Sequence, residues 1–352
     1  MAVDDGRPLV SLVLPAYNEA QVLEGSLAEI HAYLDAHASE YRWEVIVVND
    51  GSTDGTREIV EQARARYPGL IVIHHPRNFG LGQAFRAAFA RSTGDFVITF
   101  DVGLSYSPEH IGRLLDRLRT GRSRVVLASP YMKGGSFSSV PWLRRVLSVC
   151  ANRFLAFFAR GRLSTLTCLV RGYDGPFIRS LVLRAMGMDV MPETVYKSMI
   201  MRAGIDQMPA HLDWSRQIAA GPRHRSSVRI LRHTVATIFS GFVFRPFMIF
   251  VLPGLLLLLF SLYVNTWMII HFFEALHGLP PDTVMNTASA AVAIAYQKFP
   301  HTFIVGLLSL MLSVQLVSLG VAALQAKSYF EELFYLGSVL RSQMRENRRD
   351  AP

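Results

Sequence analysis

The sequence predicts an α/β domain with a mostly parallel sheet flanked by helices, followed by a hairpin of two transmembrane helices. Three observations carry this expectation. Up to Asp213, short β-branched runs alternate with helical spacings, the rhythm of a parallel sheet covered by helices. Pro246 to Phe273 holds no charged residue over 28 positions, and Thr302 to Ala326 none over 25. About 20 apolar residues suffice to cross a bilayer as a helix. Finally, Lys and Arg exceed Asp and Glu only slightly before Trp214, 24 against 21, but twofold after it, 12 against 6.

The elements follow in order. Leu9 to Leu14 reads as a strand and Ala20 to His37 as a helix. Trp43 to Val48, Leu70 to Ile73, Phe96 to Phe100 and Val125 to Ala128 read as further strands. Thr56 to Arg66, Gly82 to Arg91 and Pro108 to Thr120 have helical spacing, and Asp206 to Pro209 reads as a later strand. In such sheets ligands bind beyond the carboxyl ends of the strands. Three of those ends are polar: Pro15-Ala16-Tyr17-Asn18-Glu19, the run from Asn49 to Thr56, and Asp101. Asp50-Gly51 and Asp54-Gly55 are also turn signals, with Thr56 or Asp54 as a helix cap, and a turn of that kind can aim a carboxylate at a ligand.

The two apolar segments set the domain plan. Arg216, Arg223, Arg225, Arg229, Arg232 and Arg245 precede the first span; Lys327, Arg341, Arg345, Arg348 and Arg349 follow the second; the loop 274–301 has only Lys298 as a Lys or Arg. The excess of cations marks the cytoplasmic side. The expected plan is a cytoplasmic domain over 1–222, a juxtamembrane amphipathic segment over 223–245, two spans with an external loop over 246–326, and a cytoplasmic amphipathic tail over 327–352. Met1 to Pro8 does not resemble a signal peptide. The net charge of +9 points to anionic lipid headgroups rather than nucleic acid, because the cations cluster beside the spans. Val140 to Phe158, with Trp142, Leu143, Val146 and Leu147 among arginines, fits a helix lying on a membrane surface. Cys150 and Cys168 show neither metal spacing nor a disulfide framework. His74, His75 and His110 read as surface or turn residues.

PAYNEA, VVNDGSTDGT, NFGLGQAFRAAF and DVGLSYSPEHI, in this order, resemble the family 2 glycosyltransferases of the GT-A fold, a Rossmann-like architecture. Two spans after the domain resemble the polyprenyl-phosphate branch of that family. The resemblance implies transfer of one sugar, with inversion, from a UDP- or GDP-linked donor to polyprenyl phosphate at the inner or plasma membrane. It places Pro15, Ala16, Tyr17, Glu19, Asp50, Asn78, Gly82, Asp101 and Val102 against the donor, with Asp50 on the nucleobase and Asn78, Gly80 and Gly82 under the nucleotide. It makes Asp101, Lys133 and Arg171 catalytic, and puts Lys133, Arg144, Arg171 and Arg216 on the acceptor phosphate. Glu193 either contacts the acceptor side or caps a helix.

The chain departs from the family pattern at three places. Asp101-Val102-Gly103 stands for Asp-x-Asp, Ser129-Pro130-Tyr131 for Ser-Arg-Tyr, and Thr165 for an acid. Three readings stay open. Mg²⁺ or Mn²⁺ is held by Asp101 with Ser105 or water; fixed cations replace the metal; or the chain binds without turnover, as an assembly partner. A processive polymer synthase is disfavoured, since two spans are too few and no Gln-x-x-Arg-Trp segment is present. Self-association is left open.

Overall fold

The computed structural model describes residues 6–158, 163–219, 246–279 and 287–349. The chain divides into two compact units, 1–244 with 333–352, and 245–332.

The first unit is built on a seven-stranded sheet. Its strands are β1 (Leu9–Ala16), β2 (Arg42–Asn49), β3 (Leu70–His74), β4 (Phe96–Thr99), β5 (Val125–Ser129), β7 (Arg171–Asp174) and β8 (Ile205–Pro209), in the order β3-β2-β1-β4-β7-β5-β8. Every pairing is parallel except those of β7, which runs antiparallel between β4 and β5. Strands covered on both faces need apolar side chains at consecutive positions. Val45, Ile46, Val47 and Val48 are accordingly all buried, as are Leu12, Val13 and Leu14. Fully burying one such side chain stabilises by roughly 1.5–3 kcal/mol. Helices α1 (Ala20–Ala36), α2 (Thr56–Arg66), α3 (Leu81–Arg91) and α4 (Glu109–Arg119) follow β1 to β4 as expected.

Three strands escape the sequence pattern. β7 reads Arg-Gly-Tyr-Asp, with no apolar run, and Gly172 is needed because a Cβ there would press on Leu118 and Ile98. β6 (Ser136–Ser138) and β9 (His211–Asp213) form a small two-stranded sheet of three residues each. Helix α5 (Trp142–Phe158) follows β6; α6 (Gly175–Ser180) is capped by the Asp174 side chain accepting from Phe177 N; α7 is Val190–Ile200. The side chains of Leu143, Arg144 and Phe154 to Phe158 and the juxtamembrane residues 223–245 lie outside the described residues.

Two helices are long and apolar enough to cross a membrane, judged by length and composition: Phe250–His277, within the second unit, and Pro300–Leu340, which begins in it. They meet through small and polar groups. Ser261 Oγ and Asn265 Nδ2 both donate to Gly306 O, at 3.1 and 3.2 Å, where a Cβ on residue 306 would strike the Asn265 amide. Small residues permit such close helix approach in a bilayer. Two features differ from expectation. The loop 274–301 contains a helix, Thr287–Lys298, which its alanine-rich sequence favours. The second span and the tail are one continuous helix, Pro300–Arg349.

Candidate active site

The register of the sheet builds the site. Ala16 is level with Asn49 on one side of β1, and Val13 with Thr99 on the other. Asp50, the turn after Ala16 and Asp101 therefore emerge along one carboxyl edge, from three adjacent strands. Asp50 N donates to Ala16 O and Phe100 N to Val13 O, extending the pairing beyond the strand ends.

The first two turns are stitched together. Asn18, in the left-handed region at φ 55, donates its N–H to Ser52 Oγ and accepts from Thr53 N. Asp54 accepts from Thr56 N and Ala20 N, while Thr56 Oγ1 accepts from Glu19 N. These bonds fix Glu19 at the start of α1. Tyr17 is 41% exposed at the mouth, whereas the Ala16 side chain is buried.

Asp101 is the most unusual group. Its Oδ2 accepts from both Ser105 N (2.9 Å) and Ser105 Oγ (2.6 Å). Its Oδ1 is shielded from solvent and has no hydrogen-bond partner. Burial pushes the carboxyl above its ordinary range; the Ser105 bonds oppose this, and the nearby Glu19 carboxylate adds to it. A second acid thus lies within electrostatic reach of Asp101, at the N-terminus of α1, although Val102 and Gly103 offer none. The sequence signal was present in PAYNE, and the β1–β4 pairing brings the two turns to the same sheet edge.

Among the described residues no group of three His, Cys, Asp or Glu gathers as a metal site. A divalent cation can instead be held by one or two carboxylates together with substrate phosphates. The unpartnered Asp101 Oδ1, with Ser105 beside it, fits that requirement.

Other expected residues have different surroundings. Asp50 is buried, and its carboxylate is already engaged: Oδ1 accepts from His75 Nδ1 (2.7 Å) and Phe79 N (3.0 Å), Oδ2 from Gly80 N (2.8 Å). It pins the 75–80 loop over Gly51, whose φ of 66 and lack of a Cβ let the Arg77 backbone close in. Asn78 is exposed on that loop. Gly80 and Gly82 do allow close backbone approach, and the segment that comes close to them is 185–187. Gly82 N donates to Met186 O at 2.8 Å, and a Cβ at either glycine would collide with that strip. Val102 packs its side chain into the hydrophobic core.

Arg171 is the clearest correction. It is fully buried and donates to three carbonyls, Cys168 O, Met191 O and Leu166 O, at 2.7, 2.8 and 2.7 Å. A guanidinium committed in this way braces the fold and does not reach a phosphate. Arg216 pairs with Glu29 at 2.8 Å on the surface. Lys133 is exposed on the turn after β5. The Arg144 side chain lies outside the described residues. Glu193 makes no side-chain cap to its own helix. It accepts from Arg184 N and Ala185 N and pairs with buried Lys197, whose Nζ also donates to Val182 O. The pair holds the strip that covers Gly80 and Gly82.

The sheet order and its flanking helices define an α/β domain of the GT-A type. Residues 11–183 match the family described as Glycosyl transferase family 2. It is 32% identical over 139 residues to a dolichol-phosphate mannosyltransferase of Pyrococcus furiosus, covering 40% of this chain and 38% of that one. It is 30% identical over 179 residues to a polyprenol monophosphomannose synthase of Mycolicibacterium smegmatis, covering 50% and 65%. The chain thus matches less than two thirds of either relative's length. Glucosyl-3-phosphoglycerate synthase from Mycobacterium tuberculosis, solved with Mn²⁺, UDP and phosphoglyceric acid, shares the fold with a TM-score of 0.51 at 21% identity, over 66% of this chain and 78% of that one.

Proposed function

We propose that this chain is a membrane-bound hexosyltransferase that moves one sugar from a UDP- or GDP-linked donor to polyprenyl phosphate, with inversion at the anomeric carbon. The observation that carries the reading is the convergence of Glu19, Asp50 and Asp101 on one sheet edge of a domain that matches family 2, in a chain that also has two apolar helices of membrane-crossing length. The names of the two relatives, both concerned with lipid phosphates, support the acceptor class.

The reaction makes modest demands on the protein. A phosphate oxygen of the acceptor, anionic near neutral pH, attacks the anomeric carbon and forms the new C–O bond. The bond from that carbon to the nucleoside diphosphate breaks, and the diphosphate leaves with the electron pair. No strong base is needed; the protein must align two anions and suppress their repulsion. The glycine-permitted turns and the 75–80 loop held by Asp50 shape the donor side. Asp101 and Ser105 would hold Mg²⁺ or Mn²⁺ beside the donor diphosphate, and such a cation would neutralise the charge that develops there. Exposed Lys133 supplies positive charge from the turn after β5.

Access to the lipid comes from α5. Trp142 is 75% exposed, and Val146, Leu147, Arg145 and Arg153 are also exposed, a pattern suited to the headgroup boundary. The cation excess flanking the apolar helices supports a cytoplasmic position for the domain over 1–222 and for both termini.

Equilibrium binding tests the donor half of this reading. Mg²⁺-dependent binding of UDP or GDP to the intact protein, lost in Asp101→Asn, is the expected result. No binding of either nucleotide, with or without the metal, would overturn it.

A further inference from the structure

Helix α5 and the chain segment before β7 meet at one buried amide. Asn152 is 1% exposed. Its Nδ2 donates to Ser148 O and to Thr167 Oγ1, both at 3.0 Å. Its Oδ1 accepts from Leu166 N at 3.0 Å and from the Thr165 hydroxyl at 3.3 Å, and lies 3.1 Å from Thr167 Oγ1. One side chain on α5 thus serves three consecutive residues of another segment. Tyr131 OH and Ser148 Oγ are bonded as well, tying α5 to the turn after β5.

From Asn152 a continuous set of contacts leads to the catalytic edge. Leu166 O and Cys168 O accept from Arg171. Cys168 Sγ lies 3.6 Å from Tyr106 OH, and both side chains are buried. Tyr106 follows Ser105, whose N–H and hydroxyl hold Asp101. The same helix exposes Trp142, Val146 and Leu147. Its one buried amide therefore connects a lipid-facing surface to the turn that carries the key carboxylate.

We propose that Asn152 is a positioning residue that sets the placement of the lipid-facing helix relative to the Asp101 turn, so that a lipid phosphate delivered along α5 arrives in line with the sugar. The proposal rests on the transferase reading given above. Alignment of this kind is sensitive, since a misplacement of 1 Å costs on the order of a hundredfold in rate. Donor binding is held by Asp50, the β1 turn and Asp101, none of which is among the hydrogen-bond partners of Asn152.

The test uses the full-length protein in vesicles containing long-chain polyprenyl phosphate. Transfer, hydrolysis of the same nucleotide sugar by water, and the donor KM are measured for wild type, Asn152→Ala and Thr165→Val. Asn152→Ala lowers kcat for lipid transfer about tenfold or more, with hydrolysis and donor KM changed by less than about twofold. Thr165→Val, which keeps the shape and removes one bond, shifts the same ratio by less. Parallel loss of transfer and hydrolysis indicates a merely structural role and overturns the proposal, as does unchanged transfer. Hydrogen exchange at the amides of 164–168, with and without vesicles, gives a readout that needs no turnover. Vesicles protect these amides in wild type and not in Asn152→Ala; equal protection in both overturns the proposal. A wild type that yields no lipid product from any donor, yet shows this difference in protection, refutes the transferase reading and leaves the coupling intact.

Discussion

Ser105 closes on a single oxygen of Asp101 with two hydrogen bonds, 2.9 Å from its N–H and 2.6 Å from its hydroxyl, and leaves the other carboxylate oxygen buried without a partner. A buried acceptor in that condition costs stability, and more so when it is charged. The fold tolerates the cost at a position where a ligand cation would remove it.

Asp101→Asn should therefore separate stability from activity. The amide carries no charge and can still accept from Ser105 through its oxygen. The raised folded-state pKa means that the native protein holds the proton more tightly than the unfolded chain does. Stability is then full at acidic pH and declines as pH rises from the ordinary carboxylate range through the raised value. At neutral pH the variant should melt higher by about 2–4 °C for each kcal/mol of relieved strain, and should lose transfer. Thermal unfolding at pH 4 and pH 7.5 checks this; a stabilisation larger at the acidic end contradicts it.

Ser105→Ala removes a hydrogen bond to the charged form of Asp101. The carboxyl should move further above its ordinary range, and the acidic limb of the activity profile should shift to higher pH. A profile superimposable on wild type would show that Asp101 ionisation does not control the rate.

Arg171→Met leaves three carbonyls without their donor, at about 1–3 kcal/mol for each buried group left unpaired. The expected outcome is a failure to fold or a large loss of thermal stability. Arg216→Ala breaks an exposed pair with Glu29, where such pairs contribute about 0–1 kcal/mol, and should leave stability almost unchanged. A folded Arg171→Met protein with an isolated catalytic defect would restore a phosphate-binding role to that residue.

Gly82→Ala drives a methyl into the backbone of Ala185 and Met186. The 185–187 strip must move, and because Glu193 and Lys197 hold its other side, the change should also reach their pairing. The expected result is destabilisation of about 1–3 kcal/mol, in the range for overpacked sites. Chemical denaturation of wild type, Gly82→Ala and Lys197→Met measures it.

The strand and helix plan was legible because buried parallel strands must be apolar at consecutive positions, as in Val45 to Val48, and the covering helices repeat at 3.6 residues. β7 was not legible, since Arg171-Gly172-Tyr173-Asp174 earns its place through a glycine under Leu118 and a buried guanidinium. The polar strand ends were also legible, and the sheet register brings Asp50, Glu19 and Asp101 to one edge. What sequence could not supply was the identity of each partner. Gly80 and Gly82 announce that something comes close without saying that it is Met186. Arg171 announces a buried or ligand-bound cation without saying which. Asn152 gives no signal at all, because its partners Thr165, Leu166 and Thr167 lie 13 to 15 residues further along the chain.

The most direct test of the central claim is the transfer of labelled sugar from UDP- and GDP-linked donors to polyprenyl phosphate in vesicles, by wild type and by Asp101→Asn. Lipid-linked product from wild type with Mg²⁺ or Mn²⁺, and none from the variant, is the predicted result. Equal product from both proteins would contradict the account.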